Sequence, residues 1–374
     1  MQVSRSDVLE DYLDSVYVLS HSKATVSAYR TAVTIFRTFL KVKYNCDENK
    51  IVSNVIEQNF DVYSLLREFV IYLDKNQYRG STVRVWLAVV KGFLRHLGIK
   101  IYSEDCKHTV RIPKFVLTRE EALTKEILVR LLRNLSPKIQ TAVLVAIASG
   151  MRVGEIVQLR ISDINFGSKP TKVRIRAETT KTREEREAFL TDEASNSLKD
   201  YLKRHYGWKE GLSIEHLQDQ VIFGRTSFMV RPERKEDDDR KTGYYSRTGN
   251  LLQKLLTTQI SKIPELSKIN GNGRKVIHFH AFRKYFRTVV GNACGRDFAE
   301  AMIGHKFYLS TYYNLSEAQK KELYLKAEPY LTISDYTKIE QTIQDLNEKY
   351  KELERKYEEF RKYAQTEIIS TPQQ

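Results

Sequence analysis

Residues 139–150 read IQTAVLVAIASG. A helix that is apolar around its whole circumference has to be covered on every side, so this segment belongs at the centre of a core. Gly150 is a natural stop for it. Whatever this chain folds into, other elements must wrap residues 139–149.

The flanking sequence supplies those elements in mixed form. ALTKEILVRLLRNL predicts a helix with Thr124 as its cap. KVRIRAETTKTREEREAFLT alternates on either side of a polar centre, which predicts a β-hairpin with its tip near residues 181–185. Residues 225–250 are polar and charged and read as a mobile insertion. KINGNGRKV reads as a further loop broken by Gly271 and Gly273. Residues 111–333 therefore form one domain of mixed α and β character.

The segments on either side differ from it. In SKATVSAYRTAVTIFRTFL, residues Val26, Tyr29, Val33, Phe36 and Leu40 recur every three or four positions. GSTVRVWLAVVKGFLRHLGI repeats the design with Val83, Trp86, Val90, Phe93 and Leu97, a cap at Ser81 and a stop at Gly98. Residues 1–110 thus read as a small all-helical domain with basic side chains on its exposed faces. The boundary lies near CKHTVRIPKFV, read as extended because Pro113 disfavours helix before it. Beyond the mixed domain, Tyr336, Ile339, Ile343, Leu346, Tyr350, Leu353, Tyr357, Phe360 and Ala364 keep a heptad spacing. Residues 334–366 are expected as a coiled-coil or amphipathic helical tail, and 367–374 as a disordered end. The expected fold class is mainly α with a small β-sheet.

Charge narrows the partners. The chain carries a formal net charge of +15, which favours a polyanion and nucleic acid first. No apolar run reaches the length of about 18 residues needed to span a bilayer. The first twenty residues lack an apolar signal core. Cys46, Cys106 and Cys294 lie far apart, without metal or disulfide spacing, which fits a reducing cytoplasmic location, associated with the nucleoid.

Four stretches carry chemistry. GMRVGEIVQLRISDI puts Arg152 near a helix start with Glu155 one turn on. TTKTREER puts Lys181 at the hairpin. HFHAFRKYF puts His280 and Arg283 three residues apart, on one helix face. IGHKFYLSTYYNLS puts His305 after a glycine and ahead of the adjacent Tyr312 and Tyr313. Each is weak alone; an isolated arginine of this kind is usually a cap or a surface residue. Taken together and in this order, the set resembles the tyrosine recombinase (phage integrase) family, in archaeal or mobile-element form. The resemblance covers roughly residues 115–331, and the helical N-terminal half is similar to that family's core-binding domain.

The resemblance implies site-specific cutting and rejoining of double-stranded DNA through a covalent 3′-phosphotyrosyl link, without metal, cofactor or ATP, by four protomers on paired sites. The residue types suit that chemistry. Arg152 and Arg283 would clamp the scissile phosphate, since guanidinium stays charged and donates in pairs. The same cations would favour the phenolate of the attacking tyrosine. His280 would take the phenol proton or orient the phosphate, Lys181 would protonate the departing 5′ oxygen, and His305 would donate to a non-bridging oxygen. Glu155, an anion that phosphate would repel, reads as a holder of an arginine or histidine. Arg30, Arg84, Lys91, Lys284 and Arg287 are candidates for DNA backbone contact, and residues 317–333 for contact with a neighbouring protomer.

The nucleophile stays open between two residues. Tyr312 lies seven and Tyr313 eight residues beyond His305, where the family usually has nine. The sequence downstream leans toward Tyr312. Adjacent helical residues point about 100° apart, so one alone can reach the phosphate. Two other readings remain: a type IB topoisomerase-like relaxase acting as a monomer, and a catalytically inactive architectural DNA-binding protein.

Overall fold

The structure is a computed structural model that describes residues 7–57, 60–113, 120–209, 220–223, 238–271, 273–305, 315–334 and 346–359. The chain divides into two compact units, Met1–Leu117 and Thr118–Gln374.

The first unit is helical: α1 Asp7–Ser20, α2 Lys23–Tyr44, α3 Glu48–Ile56, α4 Val62–Lys75, α5 Gly80–His96 and α6 Ser103–Thr109. Its core gathers Phe36, Phe39, Leu40, Leu65, Leu66, Phe69, Val90 and Leu94. Both apolar stripes turn inward as expected, although Val26, Tyr29, Trp86 and Leu97 remain half-buried at the margin. Caps fix the starts: the Ser22 hydroxyl accepts from Thr25 N, and the Asp61 carboxylate accepts from Tyr63 N and Ser64 N. Two local expectations fail. Ser81 is not the cap of α5, because Arg79 occupies that position without a side-chain bond and the helix begins at Gly80. The boundary segment expected to be extended begins as α6. Glu104 and Asp105 favour its first turn, Lys107 and His108 its last, and Cys106 is buried.

The second unit is built around α8, Pro137–Ser149, whose residues 141–149 are all buried. Wrapping it are α7 (Lys125–Arg133), α10 (Asp192–Tyr206), α12 (Phe279–Cys294) and α14 (Glu317–Leu331). Thr124 caps α7, as the sequence predicts. The sheet has three antiparallel strands in the order β1 (Ile164–Asn165), β2 (Thr171–Ile175) and β3 (Arg186–Leu190). Lys172 pairs with Phe189 and Arg174 with Glu187. On β2, Thr171, Val173 and Ile175 point into the core while Lys172 and Arg174 face out. The expected hairpin is present, with a broad loop at 176–185 that includes a short turn of helix, Ala177–Thr179. The strand β1 was not anticipated, being only two residues long.

One further expectation needs correction. Part of the supposed insertion is helical: α11 spans Asp238–Ile260, held by buried Leu252, Leu256 and Ile260, while residues 224–237 lie outside the described residues. Residues 317–333 divide their apolar side chains, with Leu325 and Tyr330 exposed. Tyr324, Ala327, Leu331 and Ile333 fill the core of their own unit, and the Tyr324 hydroxyl donates to Ala148 O at 2.8 Å. Of the heptad tail, residues 346–359 are helical, with Leu346, Tyr350, Leu353 and Tyr357 exposed; 335–345 and 360–374 lie outside the described residues. No described helix is long and apolar enough to cross a membrane.

Candidate active site

The site begins where α8 stops. Gly150 takes the left-handed conformation, with φ +63°, and its carbonyl is free to accept from a side chain of another helix. A Cβ there would lie 2.4 Å from the Phe286 ring and 2.9 Å from Ile303, so only glycine fits. Two residues on, Arg152 heads α9, Val153–Ile156. Its backbone N–H donates to Glu155 Oε2 at 2.8 Å, and its Nη1 to Glu155 Oε1 at 3.0 Å.

Glu155 is buried and holds a second arginine. Arg186, at the start of β3, donates from Nη1 and Nη2 to both carboxylate oxygens at 3.1 and 2.7 Å. Its Nε reaches Met302 O at 3.2 Å. Burial alone would push the Glu155 carboxyl up; the bonds from Arg186, then Arg152, outweigh it and hold the group below the usual carboxylate range. The sequence reading of Glu155 as a holder of an arginine matches this arrangement, which serves two arginines.

Arg283 lies deepest. It is 3% exposed, on the buried face of α12, and donates from Nη1 to Gly150 O at 2.7 Å and from Nη2 to Ile303 O at 2.5 Å. Ile303 closes α13, Arg296–Ile303. Burial, then the nearby Arg152, pushes the Arg283 guanidinium down to about 9, with Arg186 adding to the effect and Glu155 and Glu300 opposing it. It remains a cation at neutral pH. Three arginines therefore surround one buried carboxylate, and that excess of positive charge favours an anion brought alongside.

Histidines and a lysine complete the set. Gly304, at φ +67°, turns the chain after α13, and a Cβ on it would press to 2.8 Å from Arg186 Cδ. The next residue, His305, bonds through Nδ1 to Glu300 Oε2 at 2.6 Å, with its side chain 46% exposed. His280 stands exposed in the first turn of α12. Desolvation, then the charges of Lys284, His278 and Arg283, holds its imidazole below the ordinary value against the pull of Glu120. A neutral imidazole at pH 7 can accept a proton. Lys181 is exposed on the loop between β2 and β3. Tyr312 and Tyr313 lie outside the described residues.

Residues 121–319 match the phage integrase family profile, more than half of the chain. The chain belongs to the phage integrase family. A tyrosine recombinase XerA of Saccharolobus solfataricus is 25% identical over 203 residues, 53% of this chain and 64% of that relative. The chain thus spans less than two thirds of that curated relative's length. The fold is shared with a lambda integrase dimer bound to a COC′ core site, at a TM-score of 0.52 and 15% identity over 86% of this chain and 77% of that one. It is also shared with the XerH site-specific recombinase bound to its difH substrate, at 0.50 and 16% identity over 86% and 84%.

The structure of this integrase-family chain assigns its basic candidates unequally. Arg84 is exposed on α5 and Lys91 half-buried on the same helix. Arg30 forms a two-pronged, exposed ion pair with Glu10. Lys284 is paired with Glu120. Arg287 donates from Nε to buried Glu300 at 2.6 Å. Two participants escaped sequence reasoning. Neither Arg186 nor Glu300 is among the residues that the sequence singles out. A signal for Glu300 existed: an acid one to two turns before a Gly-His pair, on a helix end that must fold back. Among the described residues, no three histidine, cysteine or carboxylate side chains gather into a metal site.

Proposed function

We propose that this chain is a site-specific DNA recombinase that breaks and rejoins double-stranded DNA through a tyrosyl phosphodiester. The observation that carries the reading is the cationic cluster of Arg152, Arg186 and Arg283 around buried Glu155, with His305 and His280 beside it. A phosphodiester is already an anion, and in-line attack concentrates charge on its non-bridging oxygens. Guanidinium groups placed before the substrate arrives stabilise that charge without reorganisation. Arg283 is fixed by two carbonyls, and Arg152 is held by Glu155 with its side chain 28% exposed, so Arg152 has donors to spare for a phosphate oxygen. His280 takes the proton of the attacking phenol, Lys181 protonates the 5′ oxygen that leaves, and His305 donates to a non-bridging oxygen. The nucleophile is Tyr312 or Tyr313. The protein–DNA ester keeps the energy of the broken linkage, so religation by the 5′ hydroxyl needs no nucleotide.

The helical unit, residues 1–110, serves in this reading as a DNA-binding domain. Residues 111–333 are the catalytic domain and 334–366 a tail for assembly. The protein works as a homotetramer on two recombination sites in the cytoplasm, associated with the nucleoid. The relaxase and the inactive architectural protein gain no support from any described residue.

The test is a nicked suicide duplex carrying the recombination site, or a pool of candidate sites, incubated with wild type, Tyr312→Phe and Tyr313→Phe. A denaturant-resistant adduct that disappears in one mutant alone supports the reading and identifies the nucleophile. Tight binding without adduct across the pool would overturn it in favour of the architectural protein.

A further inference from the structure

We propose that Glu300 is a positioning residue that fixes the ring of His305, with Arg287 as its brace; this deepens the recombinase reading and rests on it. Glu300 lies on α13 and is buried. Its Oε1 accepts from Arg287, at 2.6 Å from Nε and 2.5 Å from Nη2, and Arg296 Nε stands off at 3.9 Å. Its Oε2 meets His305 Nδ1 at 2.6 Å. The backbone repeats the link, because His305 N donates to Glu300 O at 3.2 Å. The turn at Gly304 makes both contacts possible by folding the chain back over its own helix.

An ionised carboxylate only accepts hydrogen bonds. Burial would push the Glu300 carboxyl up, yet the bonds from Arg287 and His305 outweigh it and keep the group ionised near neutrality. The proton between the two groups therefore sits on Nδ1. Nε2 is then the nitrogen that faces outward, on a side chain that is nearly half exposed, and it donates to a phosphate oxygen when the ring is the imidazolium and both nitrogens carry protons. A ring free to flip would present Nδ1 or a carbon edge for part of the time. Holding one edge inward removes that loss before the substrate arrives.

Arg287 explains why the carboxylate stays put. It lies four residues after Arg283 on α12, one turn along the same helix. One helix thus supplies the deep cation of the site and the clamp on the carboxylate behind its histidine. Arg287 and His305 donate to the two oxygens of Glu300 and offset the cost of burying it, and the His305 side chain is 46% exposed.

The experiment has two arms. Nitrogen-detected NMR of imidazole-labelled full-length protein, without DNA, reads the His305 tautomer, with His305→Asn to assign the signal. We expect Nδ1–H in wild type and a mixed or Nε2–H ring in Glu300→Met. Glu300→Gln keeps size and polarity if the methionine variant does not fold, and the same change is expected. The second arm is single-turnover adduct formation on suicide DNA. Glu300→Met should slow it about 10–100-fold while leaving DNA affinity within about twofold. In a His305→Asn background the same substitution should cost nothing further. An Nε2–H ring in wild type, an unchanged ring in both variants, or losses that multiply in the double mutant would overturn the proposal. Failure of wild type to form any adduct would sink the recombinase reading instead, and the NMR arm would still decide what Glu300 does to His305.

Discussion

Arg283 is 3% exposed with two nitrogens committed to backbone carbonyls, whereas the His305 side chain, two residues beyond one of those carbonyls, is 46% exposed and held at Nδ1 by a carboxylate. The first is a part of the fold that also bears charge. The second is a group mounted on the fold. The difference arises from where each chain segment lies. Arg283 sits on the face of a helix packed against α8, next to Phe282 and Phe286, and its charge can be tolerated only because Gly150 and Ile303 turn carbonyls toward it. His305 follows a left-handed glycine that turns the chain back over α13 and leaves the imidazole half exposed. The contrast predicts that damage to the floor of the site should appear as instability and damage to its rim as slow chemistry.

The hardest break is Arg283→Met. It leaves two buried carbonyls without donors, and charged hydrogen bonds contribute about 1.5–3 kcal/mol each. We expect a loss of roughly 3–5 kcal/mol by denaturant unfolding and no covalent adduct. A stable but inactive variant would dissolve the distinction between floor and rim. Next is Glu155→Gln, which leaves Arg152 and Arg186 facing a neutral amide; removing one partner of a buried pair costs about 3–5 kcal/mol, and the retained amide should keep the loss near the lower end. This variant also has a pH signature. The folded Glu155 carboxyl lies below its unfolded value, so the stability it contributes is complete above the unfolded value and disappears as pH falls through the folded one. In Glu155→Gln the acid limb of the stability profile should flatten.

At the rim, His305→Asn should leave the melting temperature within about 1 °C and slow adduct formation about 10²–10³-fold. A melting loss as large as that of Arg283→Met would place His305 in the floor as well. The smallest effect is expected at His280. Its imidazole lies below the ordinary value, so the adduct rate should already be on its plateau at pH 7 and decline only as pH falls into the acid range. His280→Asn should remove that decline and lower the plateau. A rate still rising between pH 7 and 8 in wild type would refute the assignment of His280 as proton acceptor.

The same distinction governs what could be read from the sequence. Local patterns were legible: the all-apolar run of α8, the stripes of α2 and α5, the cap at Thr124, and the alternation of β2. Arg152, His280, Arg283 and His305 were legible as residue types in order. Their supports were not. Arg186 meets Glu155 across 31 residues of sequence and Met302 across 116, and Arg287 meets Glu300 on the next helix. Periodicity records which face of an element is apolar; it carries no information about which polar groups two distant elements will share. The helices α6 and α11 were missed for a different reason, since short or highly charged segments form helix here through anchoring to a core that the local pattern does not display.

The two carbonyls on Arg283 also constrain descent. A lineage that no longer needed to cut DNA could discard His305 or His280 by a single change and keep a folded, DNA-gripping protein. It could not discard Arg283 so easily, because the selection that preserves a folded body would preserve that guanidinium after its chemistry had ceased to matter. An arginine at this position in a silent cousin would therefore record architecture, and the histidines would be the witnesses of activity.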